Sequence, residues 1–175
     1  MLWQKGSRLA LLLSLVSWLA VSAPPREAQA SGGAPGAKVE FSGPVAWQPW
    51  DKAVKQAAAT GKPICLVVYA HWCPRCRELS PAFKDAEVVK LAKGLVMVHQ
   101  NADDRPDWLQ QKFGNFGGYV PRIFFLKADG SVATEITSGH ARFPYFYQPN
   151  KVDQLKAAMK RALALKVPGK GKGKG

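Results

Sequence analysis

Seven consecutive residues, Ile64-Cys-Leu-Val-Val-Tyr-Ala70, form an uncharged apolar run between Pro63 and the polar turn that begins at His71. A run that never alternates and is rich in β-branched side chains predicts a strand covered on both faces, as in a parallel sheet. Such a strand needs helices above and below it, and the flanking segments supply them. Asp51 to Thr60 opens on an acid, is alanine-rich inside and stops at Gly61, which predicts a helix. Cys73 to Phe83 predicts a second helix, kinked or interrupted at Pro81.

Leu95 to His99 reads as a strand and Asp107 to Phe113 as a short helix. Arg122 to Leu126 and Val132 to Ile136, joined by the Asp-Gly turn within Ala128 to Gly130, read as a β-hairpin. Val152 to Leu165 closes the body as an amphipathic helix with Val152, Leu155, Met159 and Leu163 on one face. The order β-α-β-α-β-β-α predicts an α/β domain with a central mixed sheet flanked by helices on both faces. No internal repeat is present. The chain has 175 residues and 47% apolar residues, which excludes wholesale disorder and leaves room for one full-sized domain.

The ends differ from the body. Residues 1–30 read as a signal peptide, with Lys5 and Arg8 in the basic region, Leu9 to Val21 as the apolar region and Ala28-Gln-Ala30 as the cleavage pattern. The apolar region would rise only about 20 Å as a helix, short of a bilayer core. An uncleaved anchor is the alternative. Residues 31–38 read as a flexible linker, 39–167 as the folded body and 168–175 as a disordered Lys/Gly-rich tail. The formal charge of +13 falls to +11 when Lys5, Arg8, Arg26 and Glu27 are removed. Four lysines of that excess lie in the last ten residues. With no aromatic residues between them, they read as a solubilising tail or a weak anionic-surface contact, not as a specific nucleic-acid site.

Trp72-Cys73-Pro74-Arg75-Cys76 stands where the apolar strand gives way to a helix. Cys73 falls at the helix start, where free N–H groups favour a thiolate, and His71, Arg75 and Arg77 add positive charge that lowers the thiol pKa. An activated thiol beside a second one is the apparatus of thiol–disulfide exchange, with Cys73 as nucleophile and Cys76 as resolving thiol. The competing readings are weaker. Zinc needs four ligands and the chain has one CxxC; haem attachment needs a histidine where Arg77 stands; a purely structural disulfide remains an alternative. No metal and no cofactor is expected. Cys65, inside the apolar run, reads as a buried small hydrophobe.

Gly117-Gly-Tyr-Val-Pro121-Arg is the second constellation. A cis peptide at Pro121 would expose the backbone of Val120 beside the cysteine sulfurs, where an extended substrate can pair with it. An ordinary trans proline opening a strand is the alternative.

By these residues the chain resembles the thioredoxin-like superfamily from Trp47 to Leu165. Within it, Gly117 to Leu126 and the aromatic cluster Tyr145-Phe-Tyr147 resemble the endoplasmic-reticulum group that includes the anterior gradient proteins. Gly61-Lys-Pro63 resembles exported bacterial thioredoxin-like proteins. The resemblance implies a thioredoxin-like fold, a redox pair Cys73 and Cys76, a cis-proline at Pro121 that positions substrate, and substrate contacts from Trp72, Tyr119 and Val120. It also implies a buried acid in the strand before the motif, where this chain has Val67, which argues against fast turnover. The last residues are Gly-Lys-Gly and not a retention signal, which points to a bacterial periplasm.

The expectation is an exported thiol–disulfide oxidoreductase, oxidase or isomerase ahead of reductase, acting on protein cysteines with an unidentified redox partner. Two alternatives stand beside it. One is a slow or redox-inactive factor binding client peptides along the Pro121 edge and the aromatics Phe143 to Tyr147; the other is Cu(I) held by Cys73 and Cys76.

Overall fold

The computed structural model describes residues 38–166. The readings of residues 1–30, of most of the linker and of the tail lie outside these described residues. Helix α1 (Trp50–Thr60) ends where Gly61 adopts φ 68° and donates its N–H to the carbonyl of Ala57, a left-handed cap that suits glycine. Strand β1 (Ile64–Tyr69) follows and is buried along its whole length. The predicted second helix is shorter than expected. Helix α2 spans Pro74–Leu79, and Ser80–Lys84 continues as a 3-10 turn because Pro81 has no N–H to extend the ladder.

Helix α3 (Ala86–Ala92) is an element the sequence reading passed over. Its signal was present: Asp85 Oδ1 accepts from the N–H groups of Glu87 and Val88 at 2.9 and 3.1 Å, an acidic N-cap ahead of an apolar stretch. Strand β2 (Val96–Asn101), helix α4 (Asp107–Phe113) and strand β3 (Arg122–Leu126) follow, and helix α5 (Val152–Leu163) closes the described body.

The sheet has the order β2-β1-β3, with β1 parallel to β2 and antiparallel to β3. It is mixed, as expected. Alternation along β1 divides the core into two layers. Cys65 and Val67 face one side with Ile123, Phe125, Tyr147 and residues of α3 and α5. Ile64, Leu66 and Val68 face the other side with α1 and α4. The expected second strand at Val132 to Ile136 is a correction. The turn forms, with Asp129 Oδ1 accepting from Ser131 N–H at 2.9 Å, but pairing stops at one Leu126–Val132 bridge. Ala133 and Ile136 are both buried, and an extended strand cannot turn residues three apart to the same face. The chain coils there instead, bringing Ile136 N–H onto the carbonyl of Ala133 at 3.0 Å.

Candidate redox site

Cys73 is the N-cap of α2 and Pro74 its first residue, a position where a missing N–H costs nothing. Cys73 and Cys76 are disulfide-bonded, with Cα atoms 5.3 Å apart. The N–H of Cys76 points at Sγ of Cys73 at 3.1 Å. That donor stabilises negative charge on the Cys73 sulfur when the bond is reduced. Both sulfurs lie in a small apolar cluster with Val39, Tyr69 and Ala70, against Phe41 and Val120.

The Val120–Pro121 peptide is cis, and the carbonyl oxygen of Val120 stands 3.7 Å from Sγ of Cys73. Trp72 is 66% exposed, the large apolar side chain most open to solvent among the described residues. Its Nε1–H donates to Oδ1 of Asp103 at 3.2 Å, which fixes the indole beside the disulfide. Tyr119 is turned inward: its hydroxyl accepts from Tyr145 N–H at 3.1 Å and its ring meets Phe143 edge-on at 4.9 Å. Tyr145 and Tyr147 are core residues, so the aromatic segment is for the most part packed rather than presented.

The three basic residues expected to lower the thiol pKa do different things. Arg75 pairs with Glu78 at 2.7 Å on the exposed face of α2, so its charge is countered there. Arg77 donates to the carbonyl of His71 at 3.4 Å, and the His71 ring packs edge-on against Tyr69. The Cys73 sulfur accepts from a backbone amide, that of Cys76.

Two buried groups and one half-buried ring complete the site's surroundings. Cys65 is free and fully buried, and burial pushes its thiol pKa far up, so it stays protonated and inert. Val67 is buried in the core and lies opposite His99 in the β1–β2 register. His99 stacks on Phe41 at 5.4 Å, and burial lowers its pKa. The one buried charged residue among the described residues is Arg122, so no carboxylate is buried near Cys76. Sequence reasoning missed Asp103 and the burial of Arg122. An arginine opening an otherwise apolar strand was a readable sign of the second.

Residues 46–128 match the family model described as thioredoxin-like. Anterior gradient protein 2-B of Xenopus laevis is 29% identical over 119 residues, covering 67% of this chain and 70% of that protein. The thiol:disulfide interchange protein DsbD of Ralstonia nicotianae is 35% identical over 102 residues, covering 55% of this chain and 16% of that protein. Among solved structures, the DsbH oxidoreductase superposes with a TM-score of 0.49 at 19% identity, covering 69% of this chain and 88% of that one.

Proposed function

The chain carries a thioredoxin-like domain over residues 46–128, and on that premise we propose that it exchanges disulfides with cysteines of exported proteins through Cys73 and Cys76. The observation that carries this reading is the disulfide at the start of α2, with an amide donor on the Cys73 sulfur and the Val120 carbonyl beside it. A client thiolate attacks Sγ of Cys73; the Cys73–Cys76 bond breaks, and its electron pair leaves on Cys76, which takes up a proton. A second client thiolate attacks the client sulfur of the mixed disulfide and releases Cys73 as a thiolate. Two electrons pass from client to protein, and a partner disulfide then restores the oxidised pair. Stabilising the Cys73 thiolate favours the reduced protein, which makes the oxidised pair the better oxidant. That supports oxidase or isomerase over reductase, and the leader-like residues 1–30 support export.

The test is the reduction potential of the pair in glutathione buffers. A value of about −180 to −230 mV supports oxidation or shuffling, and one near about −270 mV would indicate reduction. Cys73→Ser abolishes refolding of scrambled ribonuclease, whereas Cys76→Ser traps client mixed disulfides. Recovery from the periplasm with Ser31 as first residue tests export.

Val67 favours a second reading, a slow factor that holds clients. Without a buried acid to accept its proton, Cys76 resolves a mixed disulfide slowly, and the client stays attached. Client capture with little turnover would select this reading.

A further inference from the structure

Arg122 opens β3 directly after the cis peptide and is 5% exposed. Among the described residues no carboxylate pairs with it. Its Nη1 donates to the carbonyl of Phe113 at 3.2 Å and, in a shorter contact, to the carbonyl of Gly117. Its guanidinium lies 5.9 Å from the ring centroid of Tyr119 and 5.5 Å from that of Phe124. A buried cation without a counter-anion is costly, and the groups it binds are those that define one loop. That loop, residues 114–120, runs from the end of α4 to the Val120 carbonyl beside the Cys73 sulfur.

The loop is held from a second side as well. Tyr145 N–H donates to the Tyr119 hydroxyl, while the Tyr145 carbonyl accepts from Ile123 N–H at 2.9 Å. Gly117 sits at φ 91°, and a Cβ there would come within 3.2 Å of the Tyr119 ring. The backbone is therefore tied at 113 and 117, and the side chain at 119. Val120 is the next residue.

The geometry points to Arg122 as a positioning residue: from inside the fold it fixes the loop whose last residue, Val120, presents its backbone to the client at the redox pair. This deepens the exchange reading and rests on it. Arg122 touches neither sulfur, so it governs how a client strand docks, not how reactive Cys73 is. A lysine carries the charge but not the planar fork, so it cannot reproduce the same geometry at the loop carbonyls and the Tyr119 ring.

The experiment compares the unmodified protein with Arg122→Lys, Arg122→Met and Gly117→Ala. Gly117→Ala keeps the arginine and displaces its acceptor. Two rates are read on each: steady-state turnover of a protein disulfide, and alkylation of reduced Cys73 by iodoacetamide, which needs no docking edge. The expected result is a loss of about tenfold or more in kcat/KM for the protein client, carried by KM, with alkylation unchanged. Gly117→Ala shows the same signature, and keeps the test decisive if the Arg122 variants fail to fold. Unchanged KM in the variants that fold, or protein turnover and alkylation falling together, overturns the inference. An unmodified protein that exchanges no disulfide with any client overturns instead the function on which it rests.

Discussion

The carbonyl oxygen of Val120 lies 3.7 Å from Sγ of Cys73, although 47 positions separate the two residues in the chain. One comes from the loop entering β3, the other from the cap of α2. β1 and β3 are antiparallel neighbours, with Val68 opposite Arg122, so the segment leaving β1 and the one entering β3 meet at the same end of the sheet. The site is where those segments meet, and its properties follow from what the neighbouring strands bury.

Val67→Asp tests whether the apolar strand limits turnover. A carboxyl group in the core at this position is expected to speed resolution of the mixed disulfide, seen as faster turnover with unchanged client affinity. It also places a poorly paired polar group in the interior, at a cost of about 1–3 kcal/mol in urea unfolding. A variant that is destabilised without turning over faster would show that proton transfer is not the limiting step.

Cys65 is predicted to be silent. The oxidised native protein exposes no thiol to a small disulfide reagent, and one appears on denaturation, since Cys73 and Cys76 are joined and Cys65 is buried. Cys65→Ala leaves the reduction potential unchanged. Modification of the native oxidised protein at this position would contradict the packing of β1.

Asp85 and His99 both contribute to the acid limb of stability, beside Glu87 and Asp129, whose carboxyls are also held low. Asp85 is held below the usual carboxylate range, first by the Val88 N–H and then by the Lys156 ammonium. The unfolded chain therefore takes this proton first, near about pH 3.9, and the stability it confers is lost as pH falls further through the folded value. His99 is lowered by burial, so the unfolded imidazole charges below about pH 6.5 while the folded one stays neutral, and stability declines from there. Urea midpoints measured against pH should fall in both windows. Asp85→Asn, which keeps a capping side chain, should shrink the lower fall and leave the upper one intact, Glu87 and Asp129 keeping the remainder.

Much of the architecture was legible because it is encoded locally. The unbroken apolar run of β1 needs no partner to be recognised, and α4 was bounded by its own residues, Asp107 to Phe113. The misses have physical reasons. Helix α3 is about two turns long, short enough to be read as connection between stronger signals. The hairpin's second strand failed because the burial of Ala133 and Ile136 on one side outweighs a turn signal that is satisfied anyway. Arg75 looked like a neighbour of the thiol in sequence, yet its rotamer takes it to Glu78 one helical turn on.

The sequence by itself determined the strand-to-helix junction, the cysteine spacing and the amide that faces the first sulfur, because all of these lie within a few bonds of one another. Tertiary structure alone decided that Val120 meets Cys73, that Asp103 holds Trp72 and that Arg122 is buried under the 114–120 loop. Those contacts join residues far apart in the chain. They exist only because three strands register against one another and exclude water from both faces of the sheet.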